Sequence, residues 1–386
     1  MDDGTEPNSR SLAMLETPCL ILDAAKMRRN IARMAAHIAP FGVSLRPHLK
    51  TAKSIAVARA VMASPQGPAT VSTLMEAEQF AAGGVRDIIY AVGVAPAKLD
   101  RVIALRRQGV DLAIILDTVE QAEAVAAASR AAGLRIPTLI EIDSDGHRGG
   151  VGPAEPDRIV AIGRILAGDA ELRGVLTHAG ESYGSRTPEQ LRDWVEIERN
   201  AAVSAARTLR AAGLPCPVVS VGSTPTALGA VDMTGVTEVR AGVFVFFDLV
   251  MAGIGVCTVD EIALSVLATV VGHQREKGWI LIDAGWMAMS QDRGTAKQAI
   301  DQGHGVVCDL LGRPYPDLIV SAANQEHGTV TIRPGSNATL PDLAIGDRVR
   351  ILPNHACSTA AQHGRYHVVE GESDAVQAEW LRFGGW

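Results

Sequence analysis

Apolar runs alternate with segments in which apolar residues recur every three or four positions, and this alternation fills the first two thirds of the chain. Met27, Ile31, Met34 and Ile38 share helical spacing after Asp23, which predicts a helix over 24–39 that stops before Gly42. "VSLRPHLK" (43–50) then reads as a strand. So do "ATVSTL" (69–74), "DIIYAV" (87–92), "DLAIILD" (111–117), "IPTLIEID" (136–143), "LRGVLTHAG" (172–180), "PVVSVGS" (217–223) and "EVRAGVFVF" (238–246). Alanine-rich helical segments separate most of them, among them 119–133 and 188–213, and several end in glycine. The link between the last two strands is shorter and less clearly helical. Near-continuous apolar strands alternating with helices predict a parallel sheet buried on both faces. The pattern therefore predicts an α/β fold, a (β/α)8 TIM-type barrel over 24–262, with an open doubly wound sheet as the alternative.

Near residue 263 the long amphipathic segments stop. "WILIDAG" (279–285), "TVTIRP" (329–334), "DRVRILPN" (347–354) and "YHVVEG" (366–371) are short β-like runs separated by turns. They predict a second, mostly antiparallel β domain over 263–386, to which 11–23, with the apolar "TPCLILD" (17–23), adds a strand.

Composition narrows the classes. The 386 residues are 47% hydrophobic and 20% charged, enough to bury large cores, and the net charge is −7 with no lysine/arginine block. No nucleic-acid footprint is expected. "MDDGTEPNSR" lacks the basic start and apolar core of a secretory signal, and "AGVFVFFDLVMAGIGVC" (241–257) is too short and too broken to span a bilayer. Five cysteines, an odd number without an export signal, read as reduced thiols in a cytoplasm.

Candidate chemistry collects at predicted strand ends, where β/α barrels build active sites. "RPHLKTAK" (46–53) gathers Arg46, His48, Lys50 and Lys53 at the end of the first barrel strand. Burial at that position would disfavour the charged form of Lys50 and make it a nucleophile or base; the alternative is a surface lysine, the reading preferred for Lys53. "EIDSDGHRGGV" (141–151) ends the fifth strand with acids, His147 and Arg148, and "THAGESYG" (177–184) ends the sixth with His178 and Tyr183. "SVGSTPT" (220–226) brings Ser223 and Thr224 in a small-residue loop that can offer hydroxyls and backbone N–H groups to an anion, and "VRAG" (239–242) adds Arg240. Each piece alone reads as a turn. Together they describe a phosphate-bearing cofactor facing a lysine, as pyridoxal phosphate (PLP) requires. In "LPNHACST" (352–359), His355 and Cys357 are two apart, so on a strand they share a face. An imidazole and a thiolate suit Zn²⁺, with the remaining ligands from elsewhere, and His327 in "NQEHG" is a third candidate. Spacing alone favours a buried thiol beside a hydrogen-bonded histidine.

These motifs, with "GGVRDIIY", "VSVGSTPT", "EVRAGVFVFFD" and "LIDAGWMAMS", resemble the fold type III PLP enzymes related to alanine racemase, and within them the D-threonine aldolase / D-serine dehydratase family, over nearly the whole chain. The resemblance implies that Lys50 is the Schiff-base lysine and that Arg148 faces the cofactor's phenolic oxygen. It implies that His178 lies beside the cofactor with Tyr183 near it. Ser223, Thr224, Gly242 and Val243 match phosphate-contacting positions, and Arg240 matches the arginine at the pyridine nitrogen. His355 and Cys357 match the metal pair, where the aldolases carry His and Asp. The implied activity is PLP- and metal-dependent dehydration of a D-3-hydroxy amino acid. The substrate would be D-threo-3-hydroxyaspartate, giving oxaloacetate and ammonia, or D-serine, giving pyruvate and ammonia; the metal would be Zn²⁺, with Mn²⁺ or Mg²⁺ as alternatives. The competing activity is a metal-dependent aldolase releasing glycine and an aldehyde, and a PLP-binding protein without robust catalysis is a third reading. Arg293 is the candidate for a distal substrate carboxylate, with an exposed loop arginine as the competing view. A homodimer is expected by resemblance.

Overall fold

The computed structural model describes residues 10–146 and 148–386. His147 and residues 1–9, on which the reading of a missing signal peptide partly rests, lie outside the described residues. The chain divides into two compact units, Ala32–Phe244 with Phe383–Trp386, and residues through Ile31 with Val245–Arg382.

The first unit is a parallel β/α barrel. Its strands are β1 (Ser44–Pro47), β2 (Ala69–Val71), β3 (Asp87–Gly93), β4 (Asp111–Leu116), β5 (Pro137–Ile142), β6 (Glu171–Thr177), β7 (Val218–Val221) and β8 (Glu238–Ala241). They pair in the order β1-β8-β7-β6-β5-β4-β3-β2, all in parallel. A bridge between His48 and Thr70, with Leu49 N–H donating to Thr70 O at 2.8 Å, links β1 to β2 and closes the ring. The apolar runs are buried on both faces as expected, and Ile89, Ala113, Ile115, Leu139 and Leu176 form one cluster. Each fully buried Leu or Ile contributes about 1.5–3 kcal/mol, so this interior outweighs any single polar contact at its rim. Helices follow the strands with conventional caps: Thr118 and Gln121 form a capping box for Val119–Ala132, and Thr187 caps Pro188–Ala211, which carries Pro in its first turn. The seventh strand is followed by only a six-residue helix, Thr224–Gly229. β1, β6 and β8 stop earlier than their apolar runs, which leaves Lys50, His178 and Gly242 in the loops beyond strand ends.

The second unit is a nine-stranded sheet. Its pairings are antiparallel except that between Cys19–Asp23 and Arg365–Val369. Cys19–Asp23 also pairs with Leu264–Gln274, and Leu12, Leu15, Ile21, Leu267 and Val369 pack in one cluster. None of the described helices is long and apolar enough to cross a membrane.

Candidate active-site residues

The four cations of "RPHLKTAK" have separate surroundings. Arg46, on β1, is buried: its Nε donates to Glu238 Oε2 at 2.9 Å and its Nη1 to Asp87 Oδ1 at 2.6 Å. Lys53 pairs with the fully buried Glu76, Nζ to Oε1, at 3.2 Å. His48 lies close to Ser72 Oγ through Nε2, at 3.4 Å, and burial together with Lys50, Arg240, His178 and Arg148 holds its pKa well below the usual histidine value. Lys50 is exposed, not buried as its place at a strand end suggested. β1 ends at Pro47, and Lys50 stands three residues farther on, in a turn rather than in the apolar interior.

His178 follows β6. Its Nδ1 is 2.8 Å from Gly222 O, so Nδ1 carries the hydrogen and Nε2 is left as the acceptor. Burial, then Arg148, Lys50 and Arg240, lower its pKa to about 3 despite that bond, so the ring is neutral at ordinary pH. Tyr183 lies 6.2 Å away, ring centre to ring centre. Arg148 is exposed and sits 3.8 Å from Glu141, a carboxyl pushed upward by burial. Arg240, on β8, is buried; Nη1 donates to Ser220 Oγ at 2.6 Å and Nη2 to Thr177 O at 2.5 Å. Burial lowers its pKa to about 10, with Glu238, Glu198 and Glu141 acting against the shift. Ser220 Oγ–H in turn donates to Glu238 Oε1 at 2.6 Å, so a buried polar chain runs from Arg240 through Ser220 and Glu238 to Arg46.

Ser223 and Thr224 open the helix after β7. Ser223 Oγ accepts Thr226 N–H at 3.1 Å, and Thr224 Oγ1 accepts Phe244 N–H at 3.2 Å, which ties this turn to the Gly242–Val243 segment after β8. Two glycines are required here. Gly222 has φ +145°, and a Cβ on it would lie 1.9 Å from Arg240 O; a Cβ on Gly242 would lie 2.8 Å from His48 O. Lys50, Arg148 and Arg240 all act electrostatically on both His48 and His178, so three cations converge at one end of the barrel. That donor set, with hydroxyls and close backbone approach beside it, fits an anionic phosphorylated aldehyde such as PLP.

The second unit holds the other candidate group. The expected strand geometry for His355 and Cys357 is corrected: the strand Arg348–Pro353 ends before them, and His355 is the N-cap residue of the short helix Ala356–Ala360. Its side chain does not cap that helix. Nδ1 instead meets Asp292 Oδ2 at 2.6 Å and Ser358 Oγ at 3.0 Å, and the ring also bonds the Cys357 side chain. Burial works to lower the His355 pKa, but Asp292, Cys357 and Asp248 raise it to about 11. The turn is held from behind by buried Asp248, whose Oδ2 accepts Ala356 N–H at 3.0 Å, and by Asn354, whose Nδ2 donates to Asp292 O and Gly303 O at 3.2 and 2.7 Å. With Asp292 on Nδ1, Nε2 of His355 and the sulfur of Cys357 form a nitrogen–thiolate pair whose chemistry fits a divalent metal. Among the described residues no group of three or more His, Cys, Asp or Glu side chains could hold a metal ion. His327 is exposed beside the strand Gly328–Ile332 and joins no such group. Arg293 is engaged by Asp301 at 2.7 Å. Among the described residues no disulfide links the cysteines.

Glu198, Ser220, Glu238, Asp248 and Asp292 were not singled out from sequence. Asp248 does fall in the quoted "AGVFVFFDLVMAGIGVC", and Ser220 and Glu238 open "SVGSTPT" and "EVRAGVFVF"; Glu198 lies in the middle of a helix where a carboxylate ordinarily reads as solvated.

A parallel β/α barrel with a lysine beyond its first strand and a cation-rich, hydroxyl-lined rim defines a class of PLP enzymes. The chain belongs to the alanine racemase N-terminal domain family, whose model matches residues 22–250, and a putative serine dehydratase domain matches 263–369. The family is PLP-dependent. The chain is 54% identical to a D-threo-3-hydroxyaspartate dehydratase of Delftia sp. (strain HT23), over 97% of this chain and 99% of that one. It is 27% identical to a D-serine dehydratase of Dictyostelium discoideum (96% and 98%) and 29% identical to a D-threonine aldolase of an Arthrobacter species (93% and 90%). Two solved structures of D-threo-3-hydroxyaspartate dehydratase variants are similar throughout. One has a histidine replaced by alanine (54% identity, 98% and 97% covered, TM-score 0.95). The other has a cysteine replaced by alanine and is in the metal-free form (53%, 98% and 100%, TM-score 0.94).

Proposed function

We propose that the protein is a PLP- and metal-dependent dehydratase that converts D-threo-3-hydroxyaspartate into oxaloacetate and ammonia. The observation that carries this reading is the 54% identity to a dehydratase of that substrate over nearly the full length of both chains. In this reading the barrel residues, within 24–262, hold the cofactor, and the β-rich residues 263–386 with 11–23 supply the metal pair. Bound PLP supplies an electron sink for the charge left at Cα, and a divalent metal supplies a Lewis acid for the β-hydroxyl. Lys50 would hold the cofactor through its Nζ and, as a free amine, would take the Cα proton of the amino acid. Arg148, with Glu141 3.8 Å away, would hold the cofactor at its phenolic oxygen. His178, neutral and hydrogen-bonded at Nδ1, presents an acceptor nitrogen and an apolar ring beside the cofactor, and Tyr183 packs near it. Arg240, its guanidinium held at Nη1 and Nη2, would hold the cofactor at its pyridine nitrogen, where a fixed cation would disfavour protonation. Ser223, Thr224, Gly242 and Val243 receive the phosphate. His355 is oriented by Asp292 and Cys357 provides a thiolate; soft sulfur favours Zn²⁺ over Mn²⁺ or Mg²⁺. The variants of the related dehydratase alter a histidine and a cysteine, the residue types of this pair. A homodimer, by family resemblance, and a cytoplasmic location, from five cysteines without an export signal, belong to the same reading.

The test is a panel of D-threo-3-hydroxyaspartate, D-serine and D-threonine, scored for ammonia, 2-oxo acid and glycine. Ammonia and oxaloacetate from the first substrate at the highest kcat/KM are expected. Glycine as the main product would replace this reading with the aldolase one.

A further inference from the structure

The helix Pro188–Ala211 contributes Glu198, a carboxylate 2% exposed, to the end of the barrel where the cofactor residues gather. Its partners are unusual in where they come from. Oε1 accepts the backbone N–H of Ala179 at 2.9 Å and that of Gly222 at 3.1 Å, and the carboxylate also receives the Thr226 hydroxyl. Ala179 directly follows His178 in the loop after β6. Gly222 directly precedes Ser223 in the loop after β7, and Thr226 is in the first turn beyond it. One side chain therefore joins two consecutive strand-end loops and the turn read as the phosphate site.

The remaining bonds show what this clamp fixes. Gly222 is gripped from both sides, its N–H by Glu198 and its C=O by His178 Nδ1–H at 2.8 Å. It cannot be replaced to stiffen the loop in another way, because a Cβ there meets Arg240 O. The Thr226 hydroxyl has one hydrogen. Spent on Glu198, it leaves Oγ1 to accept Ser223 N–H, as the 3.0 Å separation records. The carboxylate draws that hydrogen against the competing Ser223 O, 3.4 Å from Oγ1, and so acts on the hydroxyl that seats Ser223. Ser182 Oγ, which donates to Ala179 O at 2.7 Å and lies 3.1 Å from Ser223 Oγ, braces the same pair of loops.

We infer that Glu198 is a positioning residue for cofactor binding: it sets the phosphate-receiving turn at Ser223–Thr224 and, through Gly222, the orientation of the His178 ring. Glu198 lies behind the turn and touches no cofactor atom in this account. The inference rests on the reading that Ser223 and Thr224 receive the phosphate.

The experiment compares the affinities of PLP and of pyridoxal, which lacks the phosphate, for apo protein, using Glu198→Ala, Glu198→Gln and Thr224→Glu. Glu198→Ala should weaken PLP by about ten- to a hundredfold, the worth of one or two hydrogen bonds to a charged group, and leave pyridoxal within about twofold. Glu198→Gln, whose amide oxygen can still accept both backbone N–H groups, should recover much of that loss. The ³¹P resonance of bound PLP should move in Glu198→Ala and less in Glu198→Gln. A residue that merely stabilises the fold would lower the melting temperature and leave the PLP-to-pyridoxal ratio and the ³¹P shift as in the wild type, and that result overturns the inference. If Glu198→Ala does not fold, Glu198→Met, which fills the space but accepts neither backbone N–H, takes its place, and a wild-type ratio and ³¹P shift in that variant overturn the inference equally. Thr224→Glu separates the two ideas. If it leaves PLP affinity intact, the phosphate assignment is wrong; if it abolishes binding while Glu198→Ala has no effect, only the role of Glu198 is wrong.

Discussion

Replacing Arg46 by methionine tests whether the buried polar chain behind the barrel rim is held by charge balance. Arg46 is 9% exposed and Glu238 5%, and the two meet at 2.9 Å. Methionine fills a similar volume but leaves the Glu238 carboxylate buried, with the Ser220 hydroxyl 2.6 Å away as a hydrogen-bond donor and Arg240 as the remaining cation that acts on it. Stranding one member of a buried pair costs about 3–5 kcal/mol, much of it the desolvation of the charge left behind. The contact of Arg46 with Asp87 adds little, because the Asp87 side chain is 43% exposed and can be resolvated. Nearly all of the loss should therefore come from Glu238. Adding Glu238→Gln removes the stranded charge and leaves an amide that still accepts from Ser220, so the double variant should recover at least about 2 kcal/mol. The assay is urea unfolding of the apo proteins, read as midpoints at constant slope. A loss below about 1 kcal/mol in Arg46→Met, or a double variant no more stable than the single one, would refute the argument.

Borohydride reduction of the PLP-loaded protein followed by peptide mapping should place the pyridoxyl group on Lys50, and its appearance on Lys53 would overturn that assignment. His178 supplies a pH test. Its folded pKa, about 3, lies below its ordinary value of 6.5, so between these limits the unfolded chain binds a proton that the folded one does not. Its contribution to stability is intact above about pH 6.5 and falls with decreasing pH by up to about 1.4 kcal/mol per unit, so His178→Phe should flatten the acid limb of the stability profile by one proton. An unchanged limb would show that the ring protonates freely in the folded state. Chelation should abolish dehydration and leave the PLP absorbance in place; Cys357→Asp, a hard ligand for a soft one, should shift the metal preference toward Mn²⁺ or Mg²⁺. Full dehydration after chelation would return His355 and Cys357 to a structural role.

The barrel was readable because its strands are buried on both faces: an apolar run such as "DLAIIL" carries its own evidence, and the helix between two such runs declares the parallel crossover. Strand-end chemistry was readable for a related reason, since each βα loop follows its strand within a few residues. What escaped were partners set by tertiary closure. Asp292 is 63 positions from His355, and Asp248 is 108 from Ala356, so neither pair has a local period. The spacing of His355 and Cys357 was visible, but the end of the strand at Pro353 was not, and with it went the premise of a shared strand face. Their approach comes from a helical turn braced by Asp248 and Asn354 instead.

The same distinction explains why four cations can stand within eight residues of a chain carrying a net charge of −7. Arg46 is still on the strand, so its guanidinium enters the barrel wall and is stable there only because Glu238, its neighbour across β1 and β8, enters with it. His48 closes the ring of strands and is kept neutral first by burial and then by the cations around it, so it adds no charge to the crowd. Lys53 is neutralised by buried Glu76. Three of the four are thus absorbed by structure, each through a partner more than twenty positions away, and Lys50, exposed at the rim, acts with Arg148 and Arg240 on the same two histidines. A rim built that way repels further positive charge and favours a bound anion, which is the electrostatic condition that a phosphorylated aldehyde must find before its carbonyl can reach the amine.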